Sequence, residues 1–167
     1  MKYALTAAAI LAGIVLLVLV VGWSLPVKHH AAREEVFAAT PHTIFELITD
    51  VDSFPQWRSS VKTVEHVPDT LGKRRFRETG SDGPILYEIE ESVPDSRLVT
   101  RIAETNLAFG GSWTYELTPR GDSTALRITE NGEVYNPIFR FVSRFIMGHT
   151  STIDDYLAAL RKRTENP

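Results

Sequence analysis

Apolar and polar positions divide this chain into two stretches with different rhythms. From Tyr3 to Val27 no position is charged, and the run of roughly 25 mostly apolar residues exceeds the about 20 needed to cross a bilayer. Beyond it the pattern breaks into short periodic pieces. Glu34 to Ala39 reads as a short strand. Thr40 is a good helix N-cap and Pro41 suits the first helical position, with Ile44, Phe45 and Ile48 recurring at helical spacing. Asp52 and Pro55 allow a second short helix ending at Trp57. Extended stretches follow at Val61 to Val67, Lys73 to Thr79, Ile85 to Val93, Leu98 to Thr105, Gly111 to Thr118 and Thr124 to Val134. Ile85 to Val93 alternates cleanly, with Ile85, Tyr87 and Ile89 on one face and Glu88, Glu90 and Ser92 on the other. Pro68-Asp69, Gly80-Ser81-Asp82-Gly83, Pro94-Asp95-Ser96 and Pro119-Arg120-Gly121-Asp122 are turn signals, and they predict antiparallel hairpins. The last element is a helix over Pro137 to Arg163, capped by Asn136, with Ile138, Phe141, Val142, Phe145, His149, Ile153, Tyr156, Leu157 and Leu160 on one stripe. Its roughly 27 residues would extend about 40 Å, enough to cross a small sheet.

The first apolar run reads as an uncleaved anchor. A secretory signal peptide has an apolar core of about 7 to 15 residues and a small-residue cleavage site. Leu5 to Val21 is longer, and the run closes on Gly22-Trp23-Ser24-Leu25-Pro26 without an A-x-A pattern. Trp23 fits an interfacial aromatic and Pro26 a helix stop, and with no Cys a lipoprotein anchor is excluded. Lys2 and the amino terminus flank one end, Lys28 and Arg33 the other, so the charges nearly balance. The balance tips only slightly towards a cytoplasmic N-terminus and a domain outside the cytoplasm. The expected division is a transmembrane helix over 1–27, a tether over 28–33 carrying His29-His30-Ala31-Ala32, one domain over 34–163 and a tail over 164–167. This predicts a single-pass protein of the cell membrane.

Charge narrows the possible partners. Removing Lys2 from the 18 basic residues leaves 17 against 21 acidic beyond the span, a balance of −4. That balance gives no case for nucleic acid. The one basic run, Lys73, Arg74, Arg75 and Arg77, alternates faces on an expected strand and reads as a solvated edge. The chain has no Cys nucleophile, no G-x-S-x-G and no phosphate-cradling glycine loop, so no catalytic residue is assigned and no cofactor is expected. The five histidines, His29, His30, His42, His66 and His149, lack metal-ligand spacing apart from the adjacent pair, so no metal site is expected. His149, on the inward helix stripe, is the one with a possible functional reading.

Five segments carry a family resemblance: E-E-V-F-A-A-T-P from Glu34, I-F-E-L-I-T-D-V-D-S-F-P-Q-W from Ile44, W-T-Y-E-L-T-P from Trp113, L-R-I-T-E-N-G-E-V from Leu126, and I-D-D-Y-L-A-A-L from Ile153. Together they make the domain resemble the START-like (SRPBCC) superfamily, and within it the polyketide cyclase/dehydrase and lipid-transport group. The resemblance implies an α+β helix-grip fold, a curved antiparallel sheet wrapped around a long C-terminal helix with a cavity between them. It also places Trp57 at the cavity's rim. A fold this widely shared does not by itself fix a function.

Strand faces suggest what would line such a cavity. Trp113, Tyr115 and Leu117 share a face, as do Leu126, Ile128, Glu130 and Val134, and Phe76 shares one with Arg74 and Glu78. Met by the Phe141 and Phe145 stripe, these faces would enclose an aromatic chamber, and pockets of this type take apolar molecules. The expected lining is Phe54, Trp57, Phe76, Tyr87, Trp113, Tyr115, Glu130, Phe141 and Phe145; the competing reading is that the same aromatics simply fill a core. Glu130 would turn its carboxylate inward, or else pair with Arg101 or Arg127 or sit in water at the sheet's end. Glu78 and Glu91 present weaker versions of the same case. The leading functional expectation is membrane-anchored binding or transport of a lipid or other hydrophobic small molecule. A cyclase or dehydratase acting on a hydrophobic substrate, and a protein-interaction module of unknown partner, are the alternatives.

Overall fold

The computed structural model describes residues 2–81 and 83–166. Asp82 of the expected turn, and the end residues Met1 and Pro167, lie outside them. The elements run α1 (Lys2–Ser24), β1 (Lys28–Phe37), α2 (Pro41–Thr49), a 3-10 turn (Val51–Ser53), α3 (Phe54–Trp57), β2 (Val61–Thr70), β3 (Lys73–Gly80), β4 (Gly83–Val93), β5 (Arg97–Ile102), β6 (Phe109–Arg120), β7 (Ser123–Val134), α4 (Pro137–Val142), a π-type turn (Ser143–Met147) and α5 (Ser151–Glu165). Seven strands form one antiparallel sheet in the order β1-β7-β6-β5-β4-β3-β2. Five of the six pairings join consecutive strands, and only β1 pairs with a strand far along the chain.

Local chemistry explains most of these boundaries. The Thr40 hydroxyl accepts the Thr43 N–H at 3.2 Å, and Pro41 follows as the first residue of α2, which turns Ile44 and Ile48 into the core. Phe37, Leu98, Leu117, Leu126 and Ile128 from the sheet meet Ile44, Ile48, Ile153, Leu157 and Leu160 from the helices in one buried cluster. Polar ties reinforce the packing of α5 on β1. Arg33 donates to Asp154 at 2.9 Å, and Arg161 pairs with Glu35.

Two expected boundaries are corrected. Residues 28–33 are the first half of β1, paired in register from Lys28 opposite Glu133 to Arg33 opposite Ile128. His-His-Ala-Ala carries little strand propensity, so pairing with a twelve-residue β7 supplies the order that local sequence does not. The last helix is likewise not continuous from 137 to 163. Gly148 takes a left-handed φ of 77° after the π-type turn, and a helix cannot continue through that conformation. His149, Thr150, Ser151 and Thr152 are weak helix formers, so the new helix starts only at Ser151. The 15-residue α5 alone packs its stripe on the sheet, while α4 turns back to contact α1.

α1 is one helix of 23 residues, long and apolar enough to cross a membrane. Its side chains are exposed along nearly the whole length, and Gly22 is its one buried residue.

Candidate functional site

Neighbouring strands bring inward side chains into rows, and the registers show which rows meet. Phe76 lies opposite Tyr87, Thr100 opposite Trp113, and Leu98 opposite Tyr115. Ring contacts then run through the cluster: Phe76 stacks on Tyr87 at 5.5 Å, Tyr87 lies 6.4 Å from Trp113, and Phe54 meets both Phe76 at 6.4 Å and Trp57 at 5.6 Å. Tyr156 of α5 reaches down to Trp57 and Tyr115, each at 5.5 Å. Phe54, Trp57, Phe76, Tyr87, Trp113 and Tyr115 therefore share one aromatic wall between the sheet, α3 and α5.

Within this wall sits an ion pair. Arg58 Nη1 donates to Glu78 Oε1 at 2.7 Å and Nη2 to Oε2 at 3.2 Å, with the side chains 16% and 10% exposed. The guanidinium carbon lies 4.7 Å from the Phe54 ring centre and 5.1 Å from that of Tyr156. A planar guanidinium suits both partners, bidentate to the carboxylate at its edge and stacked on rings at its faces. Sequence reading missed Arg58 and Tyr156 as site residues and ranked Glu78 low. The available signal was that Arg58 directly follows Trp57 at the end of α3, on the same turn as the expected rim.

The pair and the rings shape one another electrostatically. Burial alone lowers the pKa of Arg58, but Glu78 and the two phenols outweigh it and hold the guanidinium charged. Burial pushes the Tyr115 phenol up to about 12, against the pull of Arg58, and raises Tyr156 well above its ordinary value for the same first reason. Both phenols thus stand as proton donors at neutral pH. Because their folded pKa values lie above the unfolded value of about 10, the stability tied to them is present below pH 10 and is lost as pH rises towards 12. Denaturant midpoints of the Tyr115→Phe/Tyr156→Phe variant should fall less steeply over that window than those of the wild type. Parallel slopes would contradict the assignment.

Glu130 belongs to a neighbouring cluster. It faces inward and is 8% exposed, with His29 Nε2 3.3 Å from Oε1 and the Thr152 hydroxyl donating to Oε2 at 3.3 Å. His149 stacks on His29 at 4.2 Å and 18°, and burial with the nearby His29 and Arg144 lowers its pKa. Of the alternatives for Glu130, pairing with Arg101 or Arg127 is not found: strand alternation turns both outward, and Arg101 donates to Glu90 at 2.8 Å. Gly132 gives the His29 ring its room, since a Cβ there would lie 2.2 Å from it. Glu91 sits on the exposed side and accepts from Arg97 at 3.0 Å.

Phe141 and Phe145 are not brought to the wall. They pack on each other at 4.9 Å on the far side of the Gly148 break, and Phe145 is 59% exposed. Two open hollows lie elsewhere, about 450 Å³ beside Lys28, His30, Arg101 and Asn131, and about 510 Å³ beside Glu46, Leu47 and Asp50 of α2. Among the described residues no group of three His, Asp or Glu is placed to hold a metal ion.

Solved structures share this architecture. A START superfamily protein from Mycobacterium smegmatis superposes with a TM-score of 0.67 at 19% identity, covering 82% of this chain and 97% of that one. An aromatase/cyclase from a Streptomyces species gives 0.64 at 13% identity, covering 83% and 94%. A norcoclaurine synthase from Thalictrum, solved with a transition-state analogue, gives 0.65 at 14% identity, covering 83% and 95%. No curated protein matches the sequence. The profile of the family described as polyketide cyclase/dehydrase and lipid transport matches residues 28–165, from the first residue of β1 to the last of α5. A match over that span, on a sheet and helices arranged as in START proteins, means that this chain belongs to the polyketide cyclase/dehydrase and lipid-transport family.

Proposed function

We propose that the protein is a membrane-anchored binding protein for a lipid or other hydrophobic small molecule, held between the sheet and α5 against the aromatic wall. The observation that carries this reading is the Arg58–Glu78 pair set among Phe54, Tyr115 and Tyr156. A core built only for stability gains little from such a pair, because apolar residues of similar volume often serve as well or better. Strongly perturbed ionisable groups tend to gather at functional sites, and ligand sites combine apolar walls with a few placed polar groups. The rings supply the apolar surface, and Arg58 with the two phenols supplies donors for a ligand's polar end. The apolar α1, ending directly before β1, supports anchoring. The test is native mass spectrometry of the full chain released from its membrane in mild detergent. A retained apolar species is expected with the wild type and its loss with Trp113→Ala; protein that is empty under every extraction overturns the reading.

A second reading, a cyclase or dehydratase, is favoured by the two protonated phenols in an aromatic setting and by the likeness in fold to the aromatase/cyclase. General acid assistance of this kind is worth roughly 10²- to 10⁴-fold. Both oxygens of Glu78 are engaged by Arg58, so the wall offers donors more readily than a base. Binding is therefore the reading preferred.

A further inference from the structure

Residues 135–147 form an apolar surface with a conspicuous position. Tyr135, Ile138, Phe139, Phe145, Ile146 and Met147 are all exposed, the last three at 59%, 71% and 63%. No acidic residue occurs from Tyr135 to Ile153, while Arg140 and Arg144 lie inside the segment. Clusters of exposed apolar side chains of this size mark a surface that meets something apolar.

The height of this segment is set by contact with α1. A Cβ on Gly22 would lie 2.0 Å from the Pro137 carbonyl oxygen, so the two backbones touch at the start of α4. Arg140 then donates to the Leu25 carbonyl at 2.8 Å and to that of Trp23 at 3.4 Å, binding the free carbonyls at the end of α1. Trp23, a residue type favoured at the headgroup level, is itself exposed on that last turn. The apolar surface is therefore continuous with the end of α1 and level with it.

We propose that residues 135–147 are a second membrane element, lying in the boundary between headgroups and acyl chains beside the exit of α1. The proposal rests on the reading that α1 spans the bilayer. Phe139, Phe145, Ile146 and Met147 enter the acyl boundary, and Arg144 faces anionic headgroups, the division expected of an interfacial amphipathic segment. The broken geometry of the segment suits this position. The π-type turn and Gly148 separate this segment from α5, which packs on the sheet, while α4 at its start stays in contact with α1.

The chain has no Cys, so single cysteines can be placed without background. Full-length protein carrying Phe145→Cys, Ile146→Cys, Val15→Cys or Leu71→Cys would be labelled with an environment-sensitive fluorophore in nanodiscs of phosphatidylcholine and phosphatidylglycerol. Lipids bearing shallow or deep quenchers, and soluble iodide, would then report each position. Labels at 145 and 146 are expected to be quenched by shallow lipid quenchers, to lose iodide quenching and to shift to the blue, while 71 stays open to iodide and 15 responds to deep quenchers. Labels at 145 and 146 that behave like 71 while 15 remains deep overturn the proposal and leave the spanning reading standing. Loss of the deep signal at 15 together with lipid-free 145 and 146 overturns both. Shielding of 145 and 146 from iodide without any lipid quenching assigns the surface to a second copy of the chain and also overturns the proposal.

Discussion

Arg58→Leu is expected to destabilise the full chain by about 3–5 kcal/mol at neutral pH, the range for breaking a buried pair from one side. The cost arises less from the lost attraction than from Glu78, whose carboxylate is left 10% exposed and facing Phe54, Tyr115 and Tyr156 without its partner. The same logic predicts that adding Glu78→Leu recovers most of the loss, because two apolar side chains of suitable volume can replace a pair that was expensive to desolvate. Denaturant unfolding in detergent, followed through Trp57 and Trp113, would measure both variants. The double variant separates structure from function: it is expected to fold and, on the proposed function, to lose the apolar species that the wild type would retain, because Arg58 is the charged donor of the wall. A single variant within about 1 kcal/mol of the wild type would mean that water already reaches Glu78 and that the wall is open.

Leu160→Ala is the second large effect, about 2–5 kcal/mol, as for deletion of a fully enclosed leucine whose surroundings cannot close over the space. Leu160 is fully buried in the cluster that joins α5 to α2 and the sheet, so the change empties the grip between helix and sheet. Ile146→Ala gives the contrast within the same C-terminal region. Its side chain is exposed, and its loss should alter unfolding by less than about 0.5 kcal/mol. Near-equal effects at 146 and 160 would contradict the division into a packed α5 and an unpacked preceding segment.

Sequence periodicity revealed most of the strands because their information is local. Tyr87 and Ile89 alternate with Glu88 and Glu90, and Pro and Gly mark the turns at both ends. Thr40 and Pro41 located α2 for the same reason. What was hidden depended on distant partners. β1 begins at Lys28 because β7 lies alongside, and nothing in Lys-His-His-Ala-Ala announces that. The apolar stripe across residues 137–163 suggested a single helix, since periodicity records which residues seek apolar surroundings and not whether those are a protein core or something else. Ile138 and Phe145 fit the stripe and yet meet no core. Phe76, Tyr87, Trp113 and Tyr115 of the aromatic wall lie on strands whose faces periodicity can assign, whereas for Arg58, the cap of a four-residue helix, spacing assigns no face and its place directly after Trp57 was the one local signal.

The direct passage from α1 into β1 has a mechanical meaning. Only Leu25, Pro26 and Val27 separate the two elements, a reach of at most about 10 Å, and Val27 already accepts the Val134 N–H at 2.9 Å. Arg140 fastens the same joint from the other side. A domain on a flexible leash would sweep a hemisphere above its anchor and could hand cargo to a facing surface. This one is mounted like a blade in a handle, so on the proposed function, with α1 in the bilayer, a ligand would arrive and leave at one fixed height, and traffic across a gap would require another carrier to come to it.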